Sequence, residues 1–261
     1  MRILFVGDIV GSVGRSMVGE LVPKLKEEKN IDLVVCNAEN AAHGKGITKK
    51  IYHQLMDFGV DVLTLGNHAF AKEDIFAFID DASNMVRPMN IEPQDVGSST
   101  CVIEVNHKKV AVSNLSGEVF MNGVIDSPFA CMEDILEEYS DCDIHVVDFH
   151  AEATSEKIAF AYCFADRVAA VVGTHTHVQT ADERIINQTC ATISDLGMCG
   201  PYHSILGRDI EEIITRFTSD EKTRYTMAEG VGIFCGCIVE IDESSNHATK
   251  IERIQIRPEG Y

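Results

Sequence analysis

Short apolar runs alternating with amphipathic stretches give the chain its outline. Segments 3–6, 33–36 and 62–65 are compact apolar runs of strand length, each ending in glycine or polar residues. Between them lie helical patterns over 15–29, interrupted by Pro23, and over 48–58, with Thr48 as the N-cap. A third helix is predicted over 72–80. This strand–helix repeat implies a largely parallel sheet covered on both faces, because parallel neighbours need crossover connections.

The middle of the chain changes character. Segments 100–105 and 110–115 flank Asn106-His107-Lys108-Lys109 and read as a hairpin. A strand over 144–149, a helix over 155–165 and a short buried strand over 168–172, ended by Gly173, follow. The last third is mostly strand, over 189–194, 231–241 and 250–256, with one helix near 209–217. That is more strand than one small sheet needs. The pattern predicts a two-sheet α/β/β/α sandwich with helices outside, and a TIM-like barrel fits it less well. No Pro/Gly/Ser-rich linker or internal repeat divides residues 1–261, so one domain is expected.

Charge and cysteine usage narrow the function. With 41 acidic against 22 basic residues the net charge is −19, which disfavours a long nucleic-acid partner but not a small phosphate ester held by cations. The nine cysteines are odd in number and form no Cys-x-x-Cys pair, so they read as buried hydrophobes of a reducing compartment. Cys235-Gly236-Cys237 reads as strand sooner than as a metal site. The first apolar run is too short for a secretory signal, and no run approaches a membrane span. A cytoplasmic protein without a membrane partner is expected, and a homo-oligomer is compatible with these features.

The chemistry lies at the strand ends. The first strand ends in Gly7-Asp8, the second in Asn37-Ala38-Glu39-Asn40, the third in Gly66-Asn67-His68. Two later strands end in Asp148-Phe149-His150 and Gly173-Thr174-His175-Thr176-His177. Open α/β folds build their sites at such carboxyl ends. If the last segment is extended, His175 and His177 project to one side and face one point. Asp8, Glu39, Asn40, Asn67, His150, His175 and His177 form a mixed carboxylate, amide and imidazole set without thiolate, which suits Mn, Fe or Zn. So many ligands exceed one tetrahedral ion and suggest two ions sharing a carboxylate. Ions about 3.5–4 Å apart clamp the oxygens of an in-line displacement at phosphorus, with a bridging hydroxide as nucleophile.

These motifs resemble those of the calcineurin-like metallophosphoesterases, with departures. Asp8-Ile9-Val10 stands where Asp-x-His is usual, and Asn37-Ala38-Glu39-Asn40 where Gly-Asp-x-x-Asp is usual. Both match one bacterial subfamily, the YmdB-like phosphodiesterases, which the chain resembles over nearly its whole length. The resemblance implies that Glu39 bridges two metals. One would be held by Asp8, Glu39, Asn40 and His177, the other by Glu39, Asn67, His150 and His175. It implies His68 as the general acid, two irons with manganese able to substitute, and small phosphodiesters including 2′,3′-cyclic nucleotides as substrates. Ala69-Phe70-Ala71 and Glu118 depart from the subfamily, Glu118 standing where an arginine is expected.

Other residues have competing readings. Glu152 either orients a ligand or simply starts a helix. Asp182 and Asp195 read as turn or cap residues before ligand supports. Lys45 is a loop lysine that could reach the site, and Gly197–Pro201 is either a tight turn or a loop whose amides approach phosphate. Gly7–Gly14 resembles a dinucleotide-binding turn but lacks its Gly-x-Gly start. Amidohydrolase chemistry, a phosphomonoesterase and a signalling protein that keeps the metal site without turnover are the alternative functions.

Overall fold

Alternation of buried side chains along each strand explains why two sheets stack between helices. The computed structural model describes residues 1–260. In chain order the elements are β1 (Arg2–Val6), β2 (Asp8–Ile9), α1 (Gly11–Glu28), β3 (Leu33–Asn37), α2 (Lys49–Asp57), β4 (Val62–Thr64) and β5 (Met85–Val86). Then come β6 (Thr100–Val105), β7 (Lys108–Ser116), α3 (Pro128–Glu138), β8 (Ile144–His150), α4 (Thr154–Phe164) and β9 (Ala170–Thr174). The chain closes with β10 (Arg184–Ile186), β11 (Cys190–Ile193), β12 (Met198–Pro201), α5 (Ile210–Thr218), β13 (Gly232–Asp242) and β14 (His247–Ile256).

Among the described residues, one sheet runs β2-β12-β13-β1-β3-β4-β5, with β14 added on β13, and the other runs β10-β11-β9-β8-β7-β6. β1, β3, β4 and β5 are parallel, as are β7, β8, β9 and β11. Ile3 and Phe5 point between the sheets, onto a core with Val112, Val146 and Val172. Their neighbours Leu4 and Val6 point the other way, onto Val18 and Val22 of α1 and Leu55 of α2. On the far side Val147, Phe149 and Val171 pack against Met132 and Ile135 of α3 and Phe160 and Phe164 of α4. The result is the predicted α/β/β/α sandwich. Among the described residues no helix is long and apolar enough to cross a membrane.

Several local expectations change. Pro23 does not interrupt α1, which starts at Gly11 and runs through it, because Val22 and Leu25 anchor that turn in the core. The segment 72–80 is not one α-helix but two short 3₁₀ turns, Glu73–Ala77 and Ile79–Asp81, broken at Phe78. The tighter spacing buries both Ile75 and Phe78, three residues apart, where an α-helix would rotate them off one line. α3 has no counterpart among the expected elements. In the hairpin, Asn106 and His107 both take positive φ (51° and 63°), so the turn is two residues long and β7 begins at Lys108.

Two corrections lie close to the site. Gly173 does not end its strand, since β9 continues to Thr174. Glycine is needed there because a Cβ would sit 1.8 Å from the Ser194 carbonyl oxygen. Gly197–Pro201 is not a phosphate loop. After a turn at Gly197, β12 is a fully buried strand between β2 and β13.

Candidate metal centre

Each strand ending predicted to carry chemistry opens onto one edge of the sandwich. Asp8 follows β1 and pairs with Met198 of β12. Glu39 and Asn40 lie in the turn after β3, where Asn37 Oδ1 accepts the Glu39 N–H (3.1 Å). Asn67 and His68 follow β4, His150 ends β8, and His175 and His177 follow β9. Asn114 on β7 ties the two sheets together below this edge. Its Oδ1 accepts the Leu65 N–H and its Nδ2 donates to the Asp148 carbonyl, each at 3.1 Å.

The expected extended His-Thr-His segment is not extended. His175 has φ 105° and His177 φ 65°, both in the left-handed region that side chains disfavour. The two imidazoles reach the centre by kinks, not by the i, i+2 alternation of a strand. Asp195 explains why the kinks hold. Its Oδ2 accepts the Thr176 N–H (3.0 Å) and the Lys157 ammonium (2.8 Å). Lys157 also donates to the Thr174 carbonyl (2.9 Å).

Two groups of donor atoms result. Glu39, His150 and His175 form one, and Asp8, Glu39 and His177 the other, with the ligand atoms of each group within 4.8 Å of one another. Glu39 belongs to both. Asn67 Oδ1 lies 2.9 Å from His150 Nε2, beside the first group. Asn40 presents its amide nitrogen, which donates to Glu39 Oε1 (2.6 Å) and faces His177 Nε2 (3.2 Å). Ligation by its oxygen requires the amide to be turned over.

The outer nitrogen of each imidazole is occupied. Thr174 Oγ1 donates to Asp148 Oδ1 (2.6 Å), so it accepts from His150 Nδ1 (2.9 Å). His175 Nε2 faces Glu152 Oε2 (3.2 Å), and His177 Nδ1 donates to the Leu206 carbonyl (3.1 Å). This leaves His150 Nε2, His175 Nδ1 and His177 Nε2 as lone pairs turned inward, the arrangement in which outer partners orient metal-bound histidines. Burial pushes all three imidazoles below their ordinary pKa, His150 to about 3, which keeps them unprotonated.

The fit to cations can be judged from what the pocket lacks. His150 Nε2 has Asn67 Oδ1, His175 Nδ1 (3.0 Å) and Glu39 Oε2 (3.3 Å) around it, lone pairs facing lone pairs. Asp8 is fully buried, and its Oδ1 has no hydrogen-bond partner. Burial, with Asp195 and Glu39 nearby, pushes its carboxyl well above the usual range. Burial also raises Glu39, but the backbone N–H and ring of His68 act against it and the carboxyl is held low. A buried orphan carboxylate oxygen beside inward lone pairs is a poor arrangement by itself and a good one around cations.

A family model described as YmdB-like protein matches residues 4–254. The chain belongs to the YmdB-like family. A Bacillus subtilis (strain 168) relative named 2′,3′-cyclic-nucleotide 2′-phosphodiesterase is 49% identical over 257 residues, covering 98% of this chain and 97% of that one. A Mycoplasma pneumoniae crystal structure described as a novel phosphatase superposes on this YmdB-like chain with a TM-score of 0.93 at 35% identity, covering 98% of this chain and 93% of that one. A Thermus thermophilus structure described as a hypothetical protein gives 0.92 at 34% identity, with 98% and 99% covered.

His68 lines the cavity beside the cluster. Its backbone N–H donates to Glu39 Oε2 (3.1 Å) and its Nδ1 lies 3.4 Å from Glu39 Oε1. Glu118 and Lys45 are exposed. Asp182 binds the Ser194 N–H and hydroxyl, away from the two donor groups. Sequence reasoning alone misses Thr174, Lys157 and Arg208. Lys157 carries one signal, a cation inside the apolar stretch of α4. Asp148, which sits in the strand motif of the sequence, receives Thr64 Oγ1, Thr174 Oγ1 and Asn37 Nδ2. Burial still outweighs these donors and raises its carboxyl to about 6.

Proposed function

We propose that this chain is a dinuclear metal-dependent phosphodiesterase acting on small phosphodiesters such as 2′,3′-cyclic nucleotides. The observation that carries the reading is Glu39 shared between two donor groups whose imidazoles turn unprotonated nitrogens inward. The name of the Bacillus subtilis relative supports the substrate class. Asp8, Glu39, Asn40 (with its amide turned over) and His177 would hold one ion, and Glu39, Asn67, His150 and His175 the other. Iron fits this ligand set, with manganese able to replace it. Such ions supply Lewis acidity toward phosphoryl oxygens and make water nucleophilic near neutral pH.

The protein's part is orientation and one proton. Thr174, Glu152 and the Leu206 carbonyl fix the three rings. Glu39 holds His68 by its backbone N–H and its Nδ1, which leaves Nε2 to protonate the departing ribose oxygen. That proton matters because an alkoxide is a poor leaving group. The nine free cysteines, most of them buried, favour a reducing, cytoplasmic setting.

The test compares wild type with His68→Ala after manganese or iron loading. The variant keeps its metal and loses most turnover on 2′,3′-cyclic AMP, but much less on an aryl phosphodiester whose leaving group needs no proton. Equal losses on both remove the acid role. A metal-loaded wild type that hydrolyses only monoesters, or nothing, overturns the phosphodiesterase reading.

A further inference from the structure

The cavity over the two donor groups has a volume of about 290 Å³ and two unlike halves. Glu39, Asn40, His68, His175 and His177 line one half. Val10, Ile205, Leu206, Ile213, Phe217 and Tyr225 line the other, with the charged side chain of Arg208 among them. The polar half belongs to the chemistry. The apolar half has no role in it.

The apolar wall is built outward. Phe217, at the end of α5, is 86% exposed, and Leu206 and Tyr225 are each about half exposed (49% and 55%). On a chain of net charge −19, apolar side chains gathered at a cavity mouth mark a binding surface. The wall is also fixed in place. Arg208 and Arg216 carry their guanidinium carbons 5.3 and 4.0 Å from the Tyr225 ring centroid. Arg208 Nη1 donates to the Tyr225 carbonyl (3.0 Å) and Nη2 to the Gly44 carbonyl (3.2 Å), tying the loop after α5 to the turn after Glu39 and Asn40. Leu206 joins the halves directly, since its carbonyl holds His177 while its side chain faces the cavity.

We propose that this wall is the base subsite: the nucleobase of a nucleoside 2′,3′-cyclic phosphate lies against Leu206, Phe217 and Tyr225 while its phosphate meets the metal cluster. The inference rests on the phosphodiesterase reading. A base suits the wall because each nucleobase has an apolar π face that stacks on aromatic side chains whatever its edge pattern. Broad tolerance among bases follows from stacking, since Arg208 already donates to the Tyr225 and Gly44 carbonyls. Arg208 is a positioning residue that holds the wall at its distance from the cluster.

The experiment measures binding and turnover separately. By calorimetry, wild type binds adenosine 3′-monophosphate more tightly than ribose 3-phosphate, which lacks the base. Phe217→Ala removes most of that difference, and Phe217→Tyr restores it; because Phe217 is so exposed, the fold is unaffected. In turnover, Phe217→Ala raises KM for 2′,3′-cyclic AMP about tenfold with kcat little changed. A base-free ribose 2′,3′-cyclic phosphate shows no such rise. Equal binding of the two monophosphates to wild type overturns the subsite. Loss of self-association in Phe217→Ala with unchanged nucleotide binding also overturns it, assigning the wall to a second copy of the chain. Base-dependent binding without turnover of any phosphodiester leaves the subsite standing and removes the catalytic reading instead.

Discussion

Lys157 Nζ lies 2.8 Å from Asp195 Oδ2, with both side chains almost wholly buried. The pair brackets His175, because Lys157 donates to the carbonyl on one side of it and Asp195 accepts the N–H on the other. Removing one charge leaves the other buried and unpaired. Lys157→Met is expected to cost about 3–5 kcal/mol of stability, and replacing both partners with apolar residues less. Denaturant unfolding of the single and double variants checks this.

Thr174 passes order from Asp148 to His150 through a single hydroxyl. Thr174→Val keeps the shape and deletes the hydrogen bonds to Asp148 and from His150, together with the longer one from Asn37, freeing the ring of His150 to change tautomer. Metal affinity is expected to fall about 10–100-fold, with Thr174→Ser close to wild type. Equilibrium metal titration reads the difference.

Asp8 carries opposite signs in the two states of the protein. Without metal, its carboxylate is buried against Glu39 and Asp195, and one of its oxygens is unpaired. Asp8→Asn therefore raises the melting temperature of metal-stripped protein while lowering metal content. A lower melting temperature in the stripped variant contradicts this account.

His145 lies on β8 away from the site, buried, with its Nδ1 unpartnered. Burial lowers its pKa in the fold, with a backbone hydrogen bond at Tyr139 opposing the shift. The unfolded chain then binds a proton first as pH falls through about 6.5, so the neutral ring's contribution is lost toward acid. The loss grows by at most about 1.4 kcal/mol per pH unit until the folded-state ring also protonates. His145→Gln is expected to flatten the stability profile below about pH 6.5, measured by urea unfolding at each pH.

Much of this architecture is legible in the chain. Short apolar runs alternating with helical patterns require a sheet covered by helices, and the excess of strand requires a second sheet. Asp8, Glu39, Asn67 and His150 can be read as one set because parallel strands deliver their carboxyl ends to one edge. The helix expected over 72–80 fails because Ile75 and Phe78 satisfy a local spacing that burial then tightens into 3₁₀ turns. α3 is hidden between less patterned stretches.

The His175-Thr176-His177 segment divides the two kinds of knowledge most clearly. Its composition shows that two imidazoles follow a buried strand, and side-chain chemistry alone makes them candidate ligands. Where they point is decided by Asp195, Lys157, Glu152 and Leu206, which lie on separate elements. Asp195 and Leu206 are 19 and 29 positions from the residues they hold. Those contacts accompany positive φ at both histidines, a conformation that no local sequence preference selects. Hydrophobic periodicity and composition are enough to specify the sheets and the inventory of donors. The tautomers of those donors, the sharing of Glu39 and the apolar wall across the cavity arise only when distant segments pack, because orientation depends on hydrogen-bond partners that the fold alone brings within reach.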